Sequence, residues 1–289
     1  MSQSTVNSDA TNQTDVPVEE VDLLVVGGGK AGKSLAMLRA KAGDKVVMVE
    51  RDKVGGTCIN VACIPTKTLI SAARVLREVQ GSQTYGVTLP EQDGGADALA
   101  QEAVVGGMVA AHEKMFPASG MDFVKGTARF VGERTVEIAL NDGGLRRVRG
   151  AKVLINTGTT PSVPPIEGLS DVRYWTSEDL LTLPELPSSL IVLGGGVIGV
   201  EMASLMGLLG VPVTIVHAGE HILDREDDDV AAEVTAGLEA LGVTVLTGAL
   251  ASKVAAAADG NGVVVTTADG RQLAFAVMTN GFPTNGGGA

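Results

Sequence analysis

Aromatic residues make up only 3% of the 289 positions, and cysteine occurs just twice. So little aromatic bulk argues against a β-sandwich core and, beside Gly 38, suits an α/β chain rich in tight strand-to-helix turns. Basic residues are scarce too: Lys+Arg 22 against Asp+Glu 34 leaves a formal net charge of −12. Nucleic acid or an anionic membrane surface would require a basic face, so neither is expected as a partner. Anionic cofactors must then be held by backbone amides. No run of 18 or more apolar residues is present, so no membrane span is expected. The stretch 1–20 lacks the charged and apolar regions of a signal peptide. Its polar composition predicts a disordered leader, and the cytoplasm is the expected compartment. The length allows two domains with a sizeable core.

Both cysteines fall in one segment, Gly55-Gly56-Thr57-Cys58-Ile59-Asn60-Val61-Ala62-Cys63-Ile64-Pro65-Thr66-Lys67. On a regular helix their spacing means about 500° of turn and about 7.5 Å of rise, which would set the side chains apart. A disulfide needs Cα atoms roughly 4.4–6.8 Å apart, so the backbone here is expected to be irregular at its start. Gly55 and Gly56 permit such a turn, and Pro65 suits the first turn of a helix. Helix is therefore predicted from close to Cys63 through Leu69 to Val79. A helix N-terminus favours thiolate, which makes Cys63 the better placed of the two. In a reducing compartment a cycling pair is expected over a static bridge.

A second pattern occurs twice. Val21–Val26 predicts a buried strand, Gly27-Gly28-Gly29-Lys30-Ala31-Gly32 a turn, residues 31–42 a helix closed by Gly43, and Lys45–Val49 a strand ending on Glu50. In this strand, G-x-G-x-x-G, helix, strand, acid order, Gly27 allows the tight turn, Gly29 the approach of a pyrophosphate, and Gly32 helix packing. Glu50 would accept from ribose hydroxyls, and Lys30 and Lys33 are candidates to neutralise phosphate charge. The order recurs in strand Leu190–Leu193, turn Gly194-Gly195-Gly196-Val197-Ile198-Gly199, helix Val200–Leu209 and strand Val213–Val216. Two such folds imply two dinucleotides. The second strand ends on His217 instead of an acid, which mildly favours NADPH over NADH.

Elsewhere, helix is predicted over Ala98–Met115, with His112 a surface or packing residue and no metal cluster around it. Short strands are predicted at Phe123–Gly126 and Thr127–Val131, a hairpin at Thr135–Leu140 and Leu145–Val148 around Asn141-Asp142-Gly143-Gly144, and a separate strand at Lys152–Asn156. A helix from the acid-rich run at Asp224 to Leu241 and strands at 242–245, 250–256, 263–267 and 273–278 complete the chain.

The cysteine segment, with its Gly-Gly-Thr-Cys start and Pro-Thr-Lys continuation, resembles the redox-active segment of the class I pyridine nucleotide-disulfide oxidoreductases, especially the mercuric-reductase-like and reactive-chlorine-resistance branch. Ala62 stands where that family usually has glycine. The resemblance covers Val21 to Asn285. It implies an α/β fold of two Rossmann-like domains, FAD-binding over 21–165 with a small inserted antiparallel β element, and NAD(P)-binding over 166–289. Members of that family are homodimers, and the resemblance implies action on a small-molecule oxidised substrate, with hydride passing from NADPH or NADH through FAD to the Cys58–Cys63 disulfide. Lys67 and Glu201 would meet beside the flavin as a buried pair. FAD would be held by Gly27, Gly29, Gly32, Glu50, Gly56, Thr57, Lys67, Ala128, Thr157 and Gly158. The Thr157-Gly158 turn follows Asn156, which replaces a usual alanine. The nicotinamide nucleotide would be held by Gly194, Gly196, Gly199, Glu201 and His217, and Gly281 opens a passage similar to the family's Gly-Arg-x-Pro-Asn. The family's return segment and interface domain have no counterpart here, so a truncated or catalytically silent dinucleotide-binding protein is the alternative.

Overall fold

The computed structural model of the chain describes residues 16–87, 98–258 and 262–279. Most of the expected leader and the Gly281 passage lie outside the described residues.

From its start the chain builds β1 (Val18–Val26), α1 (Lys30–Lys41) and β2 (Val46–Glu50). β1 begins three residues inside the expected leader. Its polar Glu19 is retained in a strand because Arg146 and Lys45 pair with it, at 2.6 and 3.1 Å. α2 (Gly56–Asn60) and α3 (Cys63–Gly81) follow, then α4 (Ala98–Ser119). β3 (Asp122–Gly132), β4 (Thr135–Leu140) and β5 (Leu145–Ile155) form an antiparallel meander. The sequence divides β3 and β5 into shorter pieces, yet each is continuous. β5 pairs with β4 over its first half and in parallel with β1 from Val18↔Arg147 to Val26↔Ile155. Those pairings, with β2 beside β3, close the five strands into a barrel. Leu24, Val47, Val136, Ile138 and Val148 fill it. Leu23, Val25 and Met48 instead meet Phe116 of α4, as alternate strand residues must.

The later elements are β6 (Tyr174–Trp175), α5 (Ser177–Leu180), β7 (Leu190–Leu193), α6 (Val197–Leu208), β8 (Val213–Val216), α7 (Asp228–Ala240), β9 (Thr244–Leu246), β10 (Ala251–Ala256), β11 (Val263–Thr267) and β12 (Gln272–Thr279). β12, β7, β8 and β9 run parallel, and β10 and β11 add an antiparallel flank. β7 and β8, buried along their whole length, carry the continuous apolar runs that such strands require. α7 starts at Asp228, four residues later than the acid run suggests, and Asp224 to Asp227 belong to the preceding loop.

Contacts divide the chain into two compact units. One reaches to Gly56 and includes Val109–Gly158; the other comprises Thr57–Met108 and everything from Thr159 onward. The helix after the cysteines thus packs with the second glycine turn. The expected first domain had included it. Leu69 and Ala73, four residues apart on α3, share a core cluster with Leu190, Met202 and Leu205. By length and composition alone the helical stretch Gly56–Tyr85 could cross a membrane. It is interrupted at Val61–Ala62, however, and Leu69 and Ala73 are committed to that core.

Candidate functional site

The first glycine turn joins β1 to α1. Gly27 adopts φ +103°, and a Cβ there would stand 2.2 Å from the Asn156 carbonyl oxygen. Gly29 and Gly32 lie against the Asn156 side chain, whose Nδ2 would be 2.9 and 2.5 Å from their added Cβ atoms. Nδ2 itself donates to the Gly27 carbonyl at 3.1 Å. The residue noted only as a replacement for alanine therefore packs against all three glycines. Gly55 donates to the Gly28 carbonyl at 3.0 Å, and a Cβ on Gly56 would stand 2.8 Å from Gly29 Cα. The Gly55-Gly56 backbone is thus laid directly on the turn. Glu50, at the end of β2, accepts from the amides of Gly28 at 2.7 Å and Asp52 at 2.9 Å. Its carboxylate is fixed at the strand end where a ribose would be read.

α1 is capped by Gly29 and α6 by Gly196, neither with a side-chain hydrogen bond, and neither helix has an acid in its first turn. α5 shows the contrast: Thr176 and Asp179 close its start in a reciprocal capping box. Two helix starts whose caps are glycines, beside backbone that tolerates no Cβ, fit bound phosphates. The second turn repeats the first. Gly194 has φ +105°, and a Cβ on Gly199 would lie 2.0 Å from the Gly194 carbonyl oxygen. The Gly195 amide donates to His217 Nδ1 at 3.2 Å. This bond spans 22 positions, as does the one from Gly28 to Glu50.

The cysteine segment has the irregular backbone its spacing requires. α2 ends at Asn60, Ala62 turns the chain at φ −141° and ψ −98°, and α3 starts at Cys63. With negative φ, Ala62 is not at a position that demands glycine. The first α3 amide bond runs from Thr66 to the Ala62 carbonyl at 3.0 Å. Pro65 lies in that first turn and, with Thr66, is buried. Both cysteines are thiols, Cys58 half-buried and Cys63 exposed.

One turn further on, Lys67 Nζ donates to Glu201 Oε1 of α6. The contact is formed, but its side chains are 60% and 29% exposed, so the pair is not buried as expected. Two polar residues on facing helices reach each other at the rim of the α3–α6 packing.

Lys33, a candidate phosphate neighbour, points inward. It is 5% exposed, and its ammonium meets His112 Nε2 on α4. Ala128 lies on β3 opposite Ile138, packed against the barrel core. Thr157 and Gly158 are exposed just after β5, with Gly158 at φ +73°. Among the described residues no group of three or more His, Cys, Asp or Glu side chains could hold a metal.

Two glycine-turn βαβ folds in one chain, with one thiol before and one at the start of a helix packed beside the second, match the architecture of dinucleotide-binding redox proteins. The chain belongs to the pyridine nucleotide-disulphide oxidoreductase family, whose profile matches residues 21–282. Its relatives include a dihydrolipoyl dehydrogenase of Bacillus subtilis, 36% identical over 78% of this chain and 50% of that one. A mercuric reductase of Streptomyces lividans is 36% identical over 85% and 52%. The HOCl-induced flavoprotein disulfide reductase RclA of Escherichia coli, 33% identical, superposes with a TM-score of 0.74 over 89% of this chain and 55% of that one. The chain thus spans about half the length of the relatives it matches.

Proposed function

We propose that the chain acts as an FAD-dependent, NAD(P)H-using disulfide oxidoreductase on a small-molecule oxidised substrate. The observation that carries this reading is the ion pair between Lys67 and Glu201, which ties the helix starting at Cys63 to the helix of the second glycine turn. FAD, when bound, supplies the two-electron relay between the nicotinamide and the disulfide. Gly27, Gly29, Gly32 and Gly56 would admit its pyrophosphate, Glu50 would take its ribose, and Thr57, Ala128, Thr157 and Gly158 complete that set. Gly194, Gly196 and Gly199 would receive the nicotinamide dinucleotide, with His217 at its adenosine end. Gly281 belongs to the same set but lies outside the described residues.

Cys58 and Cys63 cycle between dithiol and disulfide. With a disulfide substrate, the Cys58 thiolate bonds to one substrate sulfur and the other leaves as a thiol. Cys63 then attacks Cys58, closing the protein disulfide and releasing the second substrate thiol. Two electrons and two protons pass to the substrate. Lys67 supplies positive charge one turn from Cys63, and Glu201 orients it. A cytoplasmic setting accompanies this reading, because a reducing compartment favours a cycling over a static pair.

The test is a thiol count on purified, FAD-loaded, oxidised protein. Anaerobic NADH or NADPH should raise the reactive thiols from none to two per chain, and Cys58→Ser or Cys63→Ser should abolish the paired gain. No nucleotide-dependent gain would remove the reading.

A further inference from the structure

Gly195 is gripped from two sides. Its amide donates to His217 Nδ1 at 3.2 Å, and its carbonyl accepts from the Leu223 amide at 2.8 Å. Leu223 adopts φ +54°, a left-handed conformation that a γ-branched residue takes only when its surroundings impose it. Beside it, fully buried Ile222 lies against the same glycine, with its Cγ2 2.5 Å from where a Cβ on Gly195 would be. The residue after this constrained turn is Asp224, and its Oδ2 lies 4.0 Å from His217 Nε2. Because Nδ1 accepts a hydrogen bond, the imidazole proton resides on Nε2. Nε2 is buried without a hydrogen-bond partner. In the first unit the equivalent strand-end residue, Glu50, carries the carboxylate itself.

We infer that the second unit selects NADH over NADPH, and that Asp224, held beside His217 by the Leu223 turn, is the specificity-determining residue. The inference rests on reading that unit as the nicotinamide dinucleotide site. Loss of an acid at the strand end had pointed the other way. The loop, however, brings a carboxylate to within 4.0 Å of the His217 ring, and residues 220–229 contain Glu220, Asp224, Glu226, Asp227, Asp228 and Asp229 against one arginine, Arg225. A dianionic 2′-phosphate would meet that negative field, whereas a 2′-hydroxyl can donate to a carboxylate. With Nδ1 taken by the Gly195 amide, His217 offers a single N–H.

The test is binding of NADH and NADPH to the full chain by calorimetry at low and high salt. NADH should bind at least about tenfold tighter, and the gap should narrow with salt. Asp224→Asn, at a side chain 55% exposed, should leave the fold intact and shrink the gap by tightening NADPH. A purely structural Asp224 would change both affinities alike, which overturns the inference. NADPH binding as tightly as NADH overturns it too, and Arg225→Ala would show whether that arginine is the cause. Failure of both nucleotides to bind would overturn the dinucleotide reading as well.

Discussion

Lys33 and His112, 79 positions apart, meet inside the first unit, where the ammonium of α1 donates to the imidazole of α4. Only 5% of Lys33 is exposed, so this contact compensates a charge removed from water. His112→Leu keeps the bulk but deletes the acceptor. It should destabilise the protein by about 2 kcal/mol, the usual cost of losing a hydrogen bond to a charged group. Lys33→Met in the same chain should restore part of that loss. Urea unfolding of the two single variants and the double variant measures both.

The Lys67–Glu201 pair should behave in the opposite way. Exposed as it is, it should contribute no more than about 1 kcal/mol to stability, and Lys67→Met should leave the unfolding midpoint nearly unchanged. The same substitution should slow nucleotide-dependent thiol formation at least about tenfold, because it removes charge one turn from Cys63. Stopped-flow kinetics beside the unfolding curve separates the two effects.

Two glycines in helices should respond with opposite signs. Gly199→Ala would place a methyl 2.0 Å from the Gly194 carbonyl oxygen, so the turn must open at a cost of about 1–3 kcal/mol, with loss of nicotinamide dinucleotide binding and retention of FAD. In α7, Gly237 has nothing within 4 Å of an added Cβ. Gly237→Ala should stabilise by up to about 1 kcal/mol. Thermal unfolding and nucleotide titration of both variants check this.

Acid should loosen the barrel where β1 meets β5. Burial alone would push the Glu19 carboxyl up, but Arg146 and Lys45 more than reverse this and hold it below its ordinary value of 4.5. A carboxyl lowered by folding contributes stability above its unfolded value and loses it as pH falls through the folded one. Unfolding curves of the parent should therefore fall more steeply below about pH 4.5 than those of Glu19→Gln.

Much of this architecture was legible in the residue pattern, because glycine turns between apolar runs leave few alternatives. β7, β8 and β11 match their predicted bounds, and α3 begins at Cys63 as Pro65 suggested. β6 and α5 were missed, although Thr176 and Asp179 form a Thr-x-x-Asp capping signature that was there to be found. β3 and β5 were each divided at a glycine, Gly126 and Gly150, where a Cβ would stand 2.6 Å from the Ala139 carbonyl oxygen and 2.4 Å from that of Lys152, so each glycine serves close packing within a continuous strand. No local pattern could pair Lys33 with His112, seat Asn156 against three glycines, or return Asp224 to His217. Those contacts depend on elements that meet only after folding.

β5 carries one further implication. Its eleven residues run unbroken from the hairpin loop to Ile155, and the next residue is Asn156 in the glycine cradle. Eight aligned positions along β1 fix how far it can slide. The strand is a rod with its handle at Leu145 and its tip at the first glycine turn. An insertion in the loop at residues 141–144 would leave the cradle undisturbed only if that register held, and a slip of one residue would withdraw the asparagine altogether.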